Sequence, residues 1–301
     1  MIRNIKKTAA IAMCCAVAGV GLTGCDDTSG TGSFPFDSES PEKAATDFTG
    51  VQKIKVGGQS LNVSCSGDLA ADKPVIVLLP GLGDGLDKMA SLQKTLSEKN
   101  RVCSYDRLGE GKSAQPGGPQ SFSDTGKVLT GVLDRVAGDG PVVLAGHSLG
   151  GVIAARYAPD HRGKVKGLVL MDATSPTSVA DMKNAIPQSA TGPAAQLRAQ
   201  SLAVTKGQNP EKLTIPDGKV RSAGSIPVAV IQHGKQYLAA VPEYGPALER
   251  SWAAGQRKWL AVSSQSKLST AKNSEHYIYA DQPDIAVQAI QRVTTQAANA
   301  K

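Results

Sequence analysis

Ser148 lies in the stretch LAGHSLGG (144–151), with Gly146 two residues before it and Gly150 two residues after. A serine hydroxyl is a weak nucleophile at neutral pH. It needs a neutral imidazole to take its proton, an acid to hold that imidazole, and backbone N–H donors facing the oxyanion that forms on an attacked carbonyl. Glycines at these two positions suit a turn so sharp that the hydroxyl stands exposed while the flanking strand and helix pass closely. Four histidines could serve as the base: His147 inside the turn, His161 in APDHRGK, His233 at the end of IPVAVIQHG, and His276 in SEHYIYADQP. Two acids stand near the ends of apolar runs. Asp172 closes LVLMD, and Glu243 is the first acidic residue after His233.

Such groups need elements to hold them, and the chain from about residue 51 supplies an alternating series. VQKIKV and LNVSC read as an opening pair of strands. PVIVLLPG, RVCSYDR, PVVLAGHS, VKGLVLMDA and IPVAVIQHG read as further strands, several apolar throughout, as expected where helices cover both faces of a parallel sheet. SKLSTAKNSEHYI contains a short last strand. Between them, Leu86, Met89, Leu92 and Leu96 recur at helical spacing, as do Val128, Leu129, Val132, Leu133 and Val136 ahead of Gly138. LGGVIAARYA leaves the serine turn as a helix, and DIAVQAIQRVTTQA closes the chain as another. The rhythm predicts an α/β class, a mostly parallel sheet flanked by helices on both faces. Residues from about 174 to 225 break it. That stretch is too long for a structureless loop in a compact domain and reads as a small inserted cap.

The start of the chain is of another kind. MIRNIKK is basic, TAAIAMCCAVAGVGL is apolar but short for a bilayer span, and LTGC follows. This resembles a bacterial lipoprotein signal peptide. The resemblance implies a signal over 1–24, removed before Cys25, a lipid on Cys25, and export with anchorage on the outer face of the cell membrane. Residues 25–49, rich in Ser, Thr, Gly, Asp and Pro, read as a flexible tether, with the folded domain over 50–301.

Loss of Arg3, Lys6 and Lys7 with the signal lowers the net charge from +7 to +4, and the remaining basic residues are scattered. Nucleic-acid binding is therefore not expected. Two glycine-rich strings mislead: GVGLTG (19–24) lies inside the signal, and GEGKS (109–113) has Asp106 where a phosphate loop would begin with glycine. Of five cysteines, Cys14 and Cys15 belong to the signal, leaving Cys65 and Cys103 as an even pair in a chain bound for an oxidising compartment.

Over about 51–297 the chain resembles bacterial serine hydrolases of the α/β-hydrolase fold. GHSLG matches their nucleophile turn, LLPGLGD their loop after the third strand, YDRLGEGKS their D-R-x-G-x-G-x-S loop, and SEHYIYADQPDIAVQAI the segment carrying their histidine. The resemblance implies Ser148 as nucleophile, His276 as base, and the amides of Leu82 and Leu149 as oxyanion donors. His147 is expected to point away from the nucleophile. The acid sits after the penultimate strand in many members, which would favour Glu243. A subset carries it after the strand that follows the nucleophile helix, and this layout favours Asp172, which we prefer. The second and fourth strands are neighbours in the family's order, so the resemblance also implies a Cys65–Cys103 disulfide.

The activity implied is hydrolysis of a carboxylic ester, from a small-molecule or lipid-like substrate, through an acyl-enzyme, with no metal or organic cofactor. Amide or peptide cleavage and perhydrolase-like chemistry are alternatives on the same residues, and a non-catalytic binding module is the alternative from another class. Relatives that open epoxides or remove halides need a carboxylate where this chain has Ser148.

Overall fold

The computed structural model describes residues 47–70 and 73–299. The segment expected to be a signal, Cys25 and most of the expected tether lie outside them. Eight strands form one sheet: β1 (Gly50–Val56), β2 (Gln59–Ser66), β3 (Val75–Leu79), β4 (Val102–Tyr105), β5 (Val142–His147), β6 (Val165–Met171), β7 (Pro227–His233) and β8 (Gln265–Ala271). Their spatial order is β1-β2-β4-β3-β5-β6-β7-β8. β2 runs antiparallel to both β1 and β4, and every pairing from β4 to β8 is parallel.

The apolar runs become central strands because each feeds two cores at once. Successive side chains of a strand point to opposite faces. Val75, Val77 and Leu79 of β3 enter one apolar cluster, and Ile76 and Leu78 enter the other. β5, β6 and β7 divide in the same way: Leu144, Leu168 and Val230 go to the first cluster, and Val143, Val169 and Ile231 to the second. Edge strands β1 and β8 are largely exposed and carry Lys53, Lys55 and Lys267, charges that discourage pairing with another chain.

Helices close both faces. α1 (Ala90–Ser97) follows a short 3-10 turn at Leu86–Met89, and α2 (Phe122–Ala137) begins with a capping box between Ser121 and Asp124. α3 (Leu149–Tyr157) leaves β5. α4 (Ser178–Ala185) and α5 (Gly192–Thr205) lie between β6 and β7, and α6 (Gly245–Lys258) between β7 and β8. α7 (Ile278–Asp281) is a single turn before α8 (Pro283–Asn299). Residues of α2 and α3 join the first cluster, and residues of α1 and α8 the second.

The segment expected as a cap thus contains α4 and α5. They share a third, small apolar cluster with α6, built on Ala185, Ile186, Ala194, Val241 and Leu248. α6 has no counterpart among the elements read from the sequence. At the other end, Phe48 is buried and its carbonyl accepts a hydrogen bond from Arg101 over 2.5 Å, so the packed part begins before residue 50. Cys65 and Cys103 face each other across the antiparallel β2–β4 pair and are joined as a disulfide, with Cα atoms 4.1 Å apart. No helix among the described residues is long and apolar enough to cross a membrane.

Candidate active site

β5, β6, β7 and β8 end at the same edge of the sheet, where Ser148, Asp172 and His276 lie in the loops that follow β5, β6 and β8 and His233 is the last residue of β7. In open α/β sheets this carboxyl edge is where ligands bind. Ser148 sits between β5 and α3 with φ 50°, and Asp172, directly after β6, has φ 45°. Left-handed backbone costs a non-glycine residue about 1–3 kcal/mol and persists only where the surroundings over-determine it. The restraints here are mutual: Ser148 N–H donates to Met171 O (3.1 Å), Thr174 N–H donates to Ser148 O (3.2 Å), and Asp172 N–H donates to Ile231 O (2.7 Å).

The glycines of the turn meet a steric demand. A Cβ on Gly146 would lie 2.4 Å from the Gly150 carbonyl, and one on Gly150 would lie 2.1 Å from Leu79 O. Any side chain at either position would drive β5, α3 and the end of β3 apart.

Asp172 is fully buried and accepts from four N–H groups: His276 Nδ1 at 2.8 Å, Trp252 Nε1 at 2.8 Å, His233 Nδ1 at 2.9 Å and the His233 backbone at 3.1 Å. Burial works against its charge, but the bonds from His233 and His276 outweigh it and hold the carboxyl far below the ordinary aspartate range. Glu243 lies exposed in the turn before α6, with φ 65°. The structure therefore joins His276 to Asp172 and leaves Glu243 outside the cluster.

The serine hydroxyl has another partner in this state. Ser148 Oγ lies 3.3 Å from Thr174 Oγ1, and no hydrogen bond joins it to His276. Leu149 N–H at the start of α3 and Leu82 N–H in the loop after β3 have no acceptor among the described residues, so both are free to meet an oxyanion.

That loop is held by the D-R-x-G-x-G segment. Arg107 donates to Pro80 O (2.6 Å) and Gly81 O (2.8 Å) and pairs with Glu211 through two bonds of 2.8 and 2.7 Å. Burial opposes the Arg107 charge, and Glu211 more than offsets that, keeping the guanidinium firmly charged. Glu110 accepts Gly83 N–H at 2.8 Å. Burial first, then the neighbouring Glu211 charge, push Glu110 up to about 7.

His147 is buried behind His276, with ring centroids 4.5 Å apart, and its Nε2 lies 3.0 Å from His276 O. Burial, reinforced by the nearness of His276, lowers its pKa well below the usual value, so it is neutral and its Nε2–H donates to that carbonyl. It braces the histidine loop instead of acting as a base. His161 stacks on Tyr157 at 3.6 Å, remote from the cluster.

Three features were invisible in the sequence. Gln256 donates to Ala173 O (2.7 Å) and Trp259, in the turn after α6, donates to Thr174 O (3.1 Å). With the Trp252 bond, this clamps residues 172–174 from α6 and its C-terminal turn. Glu249, also on α6, meets His233 Nε2 at 2.9 Å. Thr174 partners the serine itself. The residues buried on α6 are Gly245, Leu248, Glu249, Gly255 and Gln256, so it shows no apolar stripe from which to read a helix.

Comparison with known proteins agrees with this architecture. The family described as alpha/beta hydrolase fold matches residues 74–209. Bacillus subtilis YqjL, an uncharacterized protein, is 26% identical over 217 residues, covering 71% of this chain and 81% of its own length. The human (lyso)-N-acylphosphatidylethanolamine lipase is 29% identical over 104 residues. That match covers 34% of this chain, which spans 30% of the lipase's length. Among solved structures, the enol-lactonase of Burkholderia xenovorans superposes with a TM-score of 0.58 at 17% identity, covering 81% of this chain and all of that one. The fold is the α/β-hydrolase fold.

Proposed function

We propose that this protein is a serine hydrolase that cleaves a carboxylic ester through an acyl-enzyme. Ser148 Oγ attacks the ester carbonyl while His276 takes its proton, and Asp172 holds the imidazole by its Nδ1–H. The N–H groups of Leu82 and Leu149 donate to the charged tetrahedral oxygen. Collapse breaks the bond to the alcohol, which leaves with the proton from His276. Water then attacks the acyl carbonyl, losing its proton to His276; the bond from the acyl group to Ser148 Oγ breaks, His276 returns the proton to that oxygen, and the carboxylic acid leaves.

The observation that carries this reading is the 2.8 Å bond from His276 Nδ1 to Asp172 Oδ2, at the sheet edge where Ser148 stands on its strained turn. The lipase and lactonase among the similar proteins favour an ester or lactone as substrate class.

The test is labelling with a fluorophosphonate probe, followed by turnover of p-nitrophenyl esters of graded chain length. Labelling that vanishes in Ser148→Ala, with ester turnover lost alongside it, is expected. Absence of both in the wild-type protein favours a second reading, a non-catalytic binding module of the same fold. One observation speaks for that alternative: the Ser148 hydroxyl bonds Thr174 and not His276. Catalytic hydrogen bonds are often slack without substrate, and for that reason we prefer the enzyme.

The same proposal includes export and a lipid on Cys25, from the signal-like start of the chain. Metabolic labelling with a fatty-acid analogue should follow the wild-type protein and disappear in Cys25→Ala, which should also leave the membrane fraction. Unchanged labelling and fractionation of that variant would refute the anchor.

A further inference from the structure

His233, the last residue of β7, is engaged through both ring nitrogens. Nδ1 lies 2.9 Å from Asp172 Oδ2, and Nε2 lies 2.9 Å from Glu249 Oε2. A neutral imidazole offers one N–H and one lone pair, and a lone pair has nothing to bond on an ionised carboxylate, which only accepts. Two such contacts call for two protons on the ring unless one carboxyl keeps a proton. Both carboxyl groups have further N–H donors. Asp172 also accepts from Trp252, His276 and the His233 backbone, and Glu249 Oε1 accepts Leu238 N–H at 2.7 Å.

We propose that His233 is a positioning residue, buried as an imidazolium between Asp172 and Glu249, and that this pair sets the aim and the basicity of His276 through the shared carboxylate. The proposal rests on the hydrolase reading above.

Charge explains why the arrangement is useful. Asp172, His233 and Glu249 together present one negative charge to His276, as a lone aspartate would. The aspartate is nonetheless fixed from two sides, so His276 meets a carboxylate that cannot turn away. Without the His233 charge, the Glu249 charge behind Asp172 would go uncompensated and would strengthen the hold of His276 on its proton. Burial opposes the His233 charge, but its bonds to Asp172 and Glu249 raise its pKa in spite of that.

The groups facing His233 are Asp172 from the loop after β6, Glu249 and Trp252 from α6, and Tyr237 from the turn after β7. His276 is reached through Asp172. A cleft of about 350 Å³, lined by His233, Glu249, Gln236 and Arg250, borders the pair.

The full-length protein and its His233→Asn variant are compared by kcat/KM against pH on p-nitrophenyl acetate, whose acid limb reports the free enzyme's base. The amide that His233→Asn introduces retains an N–H donor but not the charge. The expected result is an acid limb shifted upward by about one pH unit, with fluorophosphonate labelling of Ser148 retained above it. An acid limb that stays within about 0.2 units while the rate falls equally at every pH overturns the proposal and makes His233 merely structural. A second measurement covers a variant that fails to fold: the ¹⁵N spectrum of the wild-type protein at about pH 7.5, where a free imidazole would be neutral. Two ring N–H groups on His233 are expected, and a single one overturns the proposal. If the wild-type protein neither labels nor turns over ester, the hydrolase reading has failed, and the nitrogen spectrum still reports the state of His233.

Discussion

Trp252 donates its indole N–H to Asp172 Oδ1 over 2.8 Å, across 80 residues of sequence. It is one of three bonds by which α6 and the turn that follows it hold residues 172–174 after β6. A net hydrogen bond to a charged acceptor contributes about 1.5–3 kcal/mol. Trp252→Phe keeps most of the ring and loses the donor. Because Asp172 retains its bonds from both histidines, we expect stability to fall by about 1–2 kcal/mol and kcat by about tenfold or less. Urea denaturation and ester turnover measure the two effects, and a variant identical to wild type in both would show the bond to be idle.

Asp172 and Glu243 make opposite predictions about the acid. Loss of the true partner leaves the imidazole misoriented and lowers kcat by about 10⁴-fold, whereas loss of a bystander changes little. Asp172→Asn should show the large effect and Glu243→Gln almost none, measured on one activated ester with circular dichroism checking the fold of each. The reverse pattern would move the acid to the turn before α6.

Glu110 ties the oxyanion loop to a pH dependence of stability. Its folded pKa, about 7, stands above the ordinary value of 4.5 because of burial and the Glu211 charge. The folded protein therefore binds more protons than the unfolded chain between those values. The stability this contributes is complete below about pH 4.5 and is lost as pH rises through about 7. Glu110→Gln removes the titration while keeping an oxygen for Gly83 N–H. Between pH 5 and pH 8, the wild-type protein should lose about 1–2 kcal/mol more stability than the variant. Urea midpoints at the two pH values give the comparison, and equal slopes for both proteins would contradict it.

Cys65 and Cys103 close a loop of 38 residues, and both are fully buried. A cross-link of that span restricts the unfolded chain by about 4 kcal/mol at most, and measured values fall commonly at 2–4 kcal/mol. The double variant Cys65→Ala/Cys103→Ala should unfold at a lower temperature by several degrees, with esterase activity at 25 °C preserved because the two cysteines pair inside the sheet, with β3 between β4 and the strand that carries Ser148. Calorimetry of the oxidised protein beside the variant measures the difference. Free thiols on both residues in protein taken from the cell envelope would remove its basis.

The sequence by itself determined the sheet and the turn. A strand covered on both faces is apolar along its buried length, so β3 and the central stretches of β5, β6 and β7 announce themselves as apolar runs. The nucleophile turn is likewise local, because Gly146, Ser148 and Gly150 clash or fit with neighbours only a few residues away or on the adjacent strand. Which acid meets His276 was open at that level. The bond to Asp172 spans 104 residues, and both candidate acids end or follow strands of similar character. α6 was hidden for a related reason: it buries Glu249 and Gln256, polar groups whose burial is repaid only by partners from β7 and the loop after β6. The pairing of His233 with two carboxylates, the serine's resting bond to Thr174 and the Arg107 clamp on Pro80 and Gly81 belong to the same class. Hydrophobic periodicity is written along the chain, but a buried polar group takes its partner from whichever strand end the tertiary fold brings within 3 Å, and only the assembled sheet edge decides that.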